Sequence, residues 1–126
     1  MNGGLLDLNG LAERVKLYGV PRGADAQFLV AAARQVRGLV VHFVRDDARL
    51  AELSEWLAWF APELEVIEFP AWDCLPYDRI SPRSELVVER LAALRRLKSL
   101  ASGTAAVLLT TVAAALQRVV PPELLP

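Results

Sequence analysis

Cysteine and histidine are almost absent from this chain, with one of each. A single thiol permits no internal disulfide and no CxxC metal pair, and it fits a reducing compartment. Charge of one sign is missing too. The formal net charge is -1 with both signs mixed along the chain, so no overall field draws it to nucleic acid. No apolar run approaches the about 18 residues that a spanning helix needs. The opening MNGGLLDLNGLAERVKLYG lacks the basic start and unbroken apolar core of a secretory signal. Internal repeats and low-complexity segments are also missing. These absences lead us to expect a soluble, cytoplasmic domain with no membrane partner and no metal site.

What is present is apolar. Hydrophobic residues make up 54% of 126 positions, too many for disorder and enough for one core. Two arrangements account for that share. A parallel sheet covered on both faces needs strands that are apolar throughout. A piece of a larger protein would also carry an apolar interface, and the proline-broken ending VVPPELLP adds weight to this. Residues 1–126 are therefore expected to form one monomeric α/β domain within a much longer polypeptide.

Short apolar runs alternate with amphipathic ones. LVVHFV (39–44), EVIEF (65–69) and AVLLT (106–110) read as buried strands. DDARLAELSEWLAWF reads as a helix capped by Asp46 or Asp47, burying Leu50, Leu53, Leu57 and Phe60 and ended by Pro62. SELVVERLAALRRLKS reads as another, with Val87, Leu91 and Leu94 on one stripe, Glu85 near its start and Arg95, Arg96 and Lys98 near its end. ADAQFLVAAARQVR is a helix closed by Gly38, and TVAAALQRV is a short one stopped by Pro121 and Pro122. RVKLYGV (14–20) reads as a strand, or residues 9–18 as a helix. The order β-α-β-α-β-α-β-α predicts a parallel sheet with helices on both faces.

In such folds phosphates bind in the loop after the first strand, on backbone donors at a helix N-terminus. That loop is GVPRGADAQ, 19–27. Set against GxxxxGK(S/T), only Gly19 matches. Ala24 replaces the second glycine, Asp25 the lysine that neutralises phosphate charge, and Ala26 the hydroxyl that ligates magnesium. A carboxylate at the lysine position repels an anion and suits a helix cap better. The remaining candidates are equally ordinary. His42 lies inside an apolar strand, as a core or strand-end histidine does. Cys74 reads as a packed thiol, and Asp73 and Asp78 as turn residues bonding their own backbone. No catalytic residue stands out.

The most unusual stretch is FPAWDCLPYDRISP, 69–82, with three prolines, three aromatics and the only cysteine. Prolines at 70, 76 and 82 forbid a helix interior or a central strand there. Phe69, Trp72 and Leu75 are expected to pin a rigid crossover onto the sheet, with Pro82 where a helix can start. Residues 77–81 are left to face a neighbour. Trp72, Tyr77 and Arg79 are the candidate interdomain contacts.

Followed by SELVVERLAALRRL, this stretch resembles the N-terminal region of the bacterial transcription-repair coupling factor (Mfd) family. Phe69, Pro70, Trp72, Leu75, Pro76, Tyr77, Ser81, Pro82, Arg90, Leu91 and Leu94 carry the match. It extends from GVPRGADAQFLVAAAR to AVLLTTVAAALQRVVPP, nearly the whole chain. The resemblance implies the first subdomain of a module similar to the UvrB excision-repair protein, RecA-like or helicase-like, with its phosphate loop degenerate. It implies a parent that displaces RNA polymerase stalled at a DNA lesion and recruits UvrA. The motor that uses ATP and magnesium would lie further along, as would the polymerase-binding and UvrA-docking domains; the chain is expected to stop just before the last of these. No catalytic or cofactor residue is carried over. A competing reading is a cryptic nucleotide- or nucleic-acid-binding module, with Arg22, Arg79, Arg95, Arg96 and Lys98 as anion contacts and Trp72 and Tyr77 for stacking.

Overall fold

The computed structural model of the protein describes residues 7–10, 13–74, 77 and 79–125. Its elements run α1 (Ala24–Val36), β1 (Leu39–Val44), α2 (Asp47–Phe60), β2 (Glu65–Phe69), α3 (Ser84–Ser99), β3 (Ala106–Thr111) and α4 (Val112–Leu116), then a 3-10 turn at Pro122–Leu124. The strands form one parallel sheet in the order β1-β3-β2. Leu39 and Glu65 both lie opposite Ala106.

This order sets where the helices go. The chain passes from β1 over β3 to β2 through α2, then returns to β3 through α3. Right-handed crossovers in opposite directions must use opposite faces. One core accordingly packs Leu29, Val30 and Ala33 of α1 and Leu50, Leu53 and Leu57 of α2 on Val44, Val107 and Leu109. The other packs Ala93 of α3 and Ala114 of α4 on Ile67 and Phe69, with Leu108 beside them. Alternate residues of β3 thus enter opposite cores, as the two-residue period of a strand requires. The central strand is apolar from Ala106 to Leu109, where both of its faces are covered, and ends in the buried Thr110 and Thr111.

Several expectations are corrected. Residues 13–20 form neither strand nor helix, and Val15, Leu17 and Tyr18 are exposed. Alternation makes a strand only where a partner supplies a ladder, and no described strand lies beside this segment. Gly38 does not close α1. Arg37 takes the left-handed position at φ 50°, while Gly38 leads into β1, its carbonyl accepting from the Ala106 N–H at 3.1 Å. On α2, Ala61 rather than Phe60 continues the buried row Leu50, Leu53, Leu57, and Phe60 is 41% exposed. On α3, Val87, Leu91 and Leu94 share one half-buried face, in keeping with their spacing, and Arg90 and Ala93 lie deepest on the helix. Pro82 does not open that helix, which starts at Ser84. The cap of α2 is Asp46, which accepts from the Arg49 N–H at 2.8 Å. No helix among the described residues is long and apolar enough to cross a membrane.

Candidate functional site

Open parallel sheets gather their chemistry outside the carboxyl ends of the strands. Two features occupy that end here. The first surrounds the 19–27 loop. Gly23 is the N-cap of α1, at φ 95°, and makes no side-chain cap. A Cβ built on it would lie 1.2 Å from the Trp56 ring, so the indole of α2 rests directly on the loop. Asp25 is therefore not the cap expected of it. It sits in the first turn, accepting from the Ala26 N–H at 3.0 Å, and its other oxygen holds the guanidinium of Arg49. Arg49 also binds Glu52, and Glu52 takes both Nε and Nη2 of Arg22 at 3.0 Å.

The four side chains balance, two cations against two carboxylates. The hydrogen bond to Glu52 leads in raising the Arg49 pKa, aided by Asp25 and opposed by burial. The same bond leads in lowering Glu52 below the usual carboxylate range, with Arg22 adding to it. Beside this network lies a cavity of about 700 Å³ that includes Leu17, Phe28, His42, Phe43 and Arg45 in its wall. His42 is half-buried there. Desolvation lowers its pKa, and Asp25, which raises it, and Arg49, which lowers it, act more weakly. Burial thus favours the uncharged imidazole. A phosphate entering this corner would meet the carboxylate of Asp25 where a lysine would help it.

The second feature is the proline–aromatic stretch after β2. Its anchor is Arg90, 2% exposed. The guanidinium lies 4.2 Å from the ring centre of Phe69 and 4.4 Å from that of Trp72. It donates to the Pro70 carbonyl at 2.6 Å and, at 3.4 Å each, to Gln117 Oε1 and the Arg118 carbonyl. Gln117 Oε1 also accepts the Trp72 N–H at 2.7 Å. Further out, Asp73 receives Nε of Arg83 at 2.7 Å and its N–H at 3.3 Å, closing the loop across ten residues. Asp73 thus bonds a distant residue as well as its own backbone. Cys74 is half-buried and free. Leu75, Pro76 and Asp78 lie outside the described residues.

The three proposed contacts are not gathered together. Trp72 is half-buried against Arg90, whereas Tyr77, Arg79 and Ile80 are exposed beyond the Asp73–Arg83 closure. Tyr77 holds a left-handed backbone, φ 73°. The candidate cations are dispersed as well. Arg96 is paired with Glu65 through Nε at 2.9 Å, Lys98 donates to the Pro122 carbonyl at 3.0 Å, and Arg95 is exposed. Nothing local in the sequence marks Arg90 and Gln117 as anchors. The available signal was a charge three residues beyond Val87 and four before Leu94, on a face that otherwise reads apolar.

Together the sheet order and these two features define a small parallel α/β fold whose carboxyl end is occupied by its own ion pairs and a pinned loop. Over most of its length this chain matches one segment of the transcription-repair-coupling factors. It is 33% identical over 103 residues to the protein of that name from Haemophilus influenzae and 32% identical over 107 residues to the one from Escherichia coli. The matches cover 82% and 84% of this chain but 9% of each relative. No protein-family model matches the chain. The resemblance read from the proline–aromatic stretch is borne out.

Proposed function

We propose that this chain is a non-catalytic subdomain of a transcription-repair coupling factor, RecA-like in fold, whose degenerate phosphate loop has become structural. It presents and braces neighbouring domains of a parent that displaces stalled RNA polymerase and recruits UvrA. ATP and magnesium serve motor domains elsewhere in that parent, and Tyr77, Arg79 and Ile80 supply an interdomain contact. The observation that carries this reading is Asp25, standing at the lysine position and engaged by Arg49, with Trp56 seated on Gly23. An anion would have to break that network and face its carboxylates. The competing nucleic-acid reading draws less support, because Arg22, Arg96 and Lys98 are already engaged and Trp72 is stacked on Arg90.

Calorimetric titration of the chain with ATP and magnesium is expected to give no saturable heat at submillimolar nucleotide. A saturating isotherm would overturn the proposal. UvrA capture is expected to be weak for this chain and restored when the domain that follows it in the parent is included. Full retention by residues 1–126 would place the docking site here instead.

A further inference from the structure

β2 is an edge strand with a groove built along it. It pairs with β3 on one side, and no described strand lies on the other. The Ala106 N–H donates to the Gly38 carbonyl. Ala106, Leu108 and Thr110 therefore turn their backbone groups to β1, and Val107, Leu109 and Thr111 turn theirs to β2. In a parallel ladder the residue opposite a bonded one points away. Val66 and Glu68, opposite Val107 and Leu109, thus hold their N–H and C=O groups toward the open side.

A groove of about 290 Å³ follows this edge, lined by Val66, Glu68, Glu89, Ala92, Ala93 and Arg96. Val66 packs with the α1–α2 core, whereas α3 covers the opposite face through Ile67 and Phe69. Val66 and α3 border one space only at the rim of the strand, so the groove opens on the unpaired backbone. α3 runs back along β2, which brings Arg96 near its end to Glu65 at the start of the strand. That pair cancels its own charge. Toward the other end Glu68 and Glu89 are exposed, and no hydrogen bond or ion pair reaches either side chain among the described residues. One helical turn beyond Glu89 stand Ala92 and Ala93, which supply no cation. The groove has small side chains on its helical wall, free carboxylates at one end and open backbone groups along its rim.

We propose that the β2 edge binds an extended basic segment of a partner protein, which pairs with the backbone of Val66 and Glu68 and sets a lysine or arginine beside Glu68 and Glu89. Main-chain bonds to an edge supply affinity, and the side-chain sites beside it supply specificity. Lysine is the common guard of an exposed edge; glutamate in that place repels acidic strands and admits basic ones. A helix laid in the groove would meet the carboxylates and leave the edge backbone unpaired. A nucleic acid would be repelled by them.

The test uses the full-length protein and two short labelled peptides, one alternating lysine with threonine and one alternating glutamate with threonine. Fluorescence anisotropy is expected to saturate with the lysine peptide below millimolar concentration and to stay flat with the glutamate peptide. Amide exchange at Val66 and Glu68 is expected to slow about 10-fold or more in the saturated complex, a change that loose charge attraction does not produce. Glu68→Lys combined with Glu89→Lys is expected to weaken the lysine peptide about 10-fold or more and to admit the glutamate peptide. Both side chains are exposed, so the cores are untouched. Glu68→Gln with Glu89→Gln keeps the shape without the charge and should give a smaller loss in the same direction. No saturation by the lysine peptide, unchanged exchange at the two amides, or equal binding by the charge-reversed protein would each sink the proposal. None of these readouts involves nucleotide or UvrA, so the function proposed above and this inference fail separately.

Discussion

An arginine that is buried without a carboxylate beside it has to be held by carbonyls and rings. Arg90 is held that way, and the cost of desolvating it shows as a pKa lowered by burial. Its planar fork reaches the Pro70 and Arg118 carbonyls while its face covers Phe69 and Trp72. A proline-rich loop offers few N–H donors of its own, so its carbonyls need an outside donor. Arg90 supplies it. Arg90→Met keeps most of the volume but leaves the Pro70 carbonyl unpaired and removes the ring contacts; a loss of about 2–4 kcal/mol is expected in urea unfolding. Arg90→Lys keeps the charge without the fork and should recover less than half of that. A loss under about 0.5 kcal/mol for Arg90→Met would show that the loop is held by something else.

Gly23 carries a comparable constraint. Its φ of 95° is one that only glycine adopts freely, and the Trp56 ring occupies the place of a Cβ. Gly23→Ala is expected to cost roughly 2–4 kcal/mol, from backbone strain and displacement of the indole. A changed tryptophan emission would accompany it. If Trp56 does cover this loop, a Trp56→Ala background should tolerate the alanine better than the parent does, a coupling that a double-mutant cycle measures directly.

Among the elements, periodicity located β1, α2, β2, α3 and β3 within a residue or two, because each has an uninterrupted apolar pattern and a clear stop. What it misjudged depended on partners. Residues 14–20 alternate like a strand, but alternation says nothing of whether a neighbour exists to pair with them. TVAAALQRV reads as a helix to Val119, yet α4 ends at Leu116. Gln117 leaves the helix at ψ 148°, and its amide oxygen serves Trp72 and Arg90 instead. The departures at the two candidate features have the same origin. Asp25, Arg49 and Glu52 lie on two helices, and Phe69, Arg90 and Gln117 lie on β2, on α3 and just past α4, so no local window contains them. The proline–aromatic loop is legible as a family mark, but its anchor is hidden because an isolated arginine reads as surface.

Titration links these local arrangements to the stability of the fold as a whole, since the groups concerned lie between elements rather than within one. His42 on β1 lies near Asp25 of α1 and Arg49 of α2, and its folded pKa is below the ordinary 6.5. The unfolded chain then binds the proton first as pH falls, so stability is full above about 6.5 and declines below it. The carboxylates follow further down. Glu52, held low first by Arg49 and then by Arg22, and Asp46, held low by the Arg49 N–H and then by Arg45, stabilise the fold above their unfolded values of 4.5 and 3.8. That contribution is lost as pH drops through their lower folded values. The melting temperature is therefore expected to be flat from pH 8 to 7, to fall between about 6.5 and 5, and to fall again below about 4.5. His42→Gln, which cannot charge, should abolish the first decline and leave the second. A first decline that survives in His42→Gln would mean that another group drives it, since His42 is the only histidine in the chain.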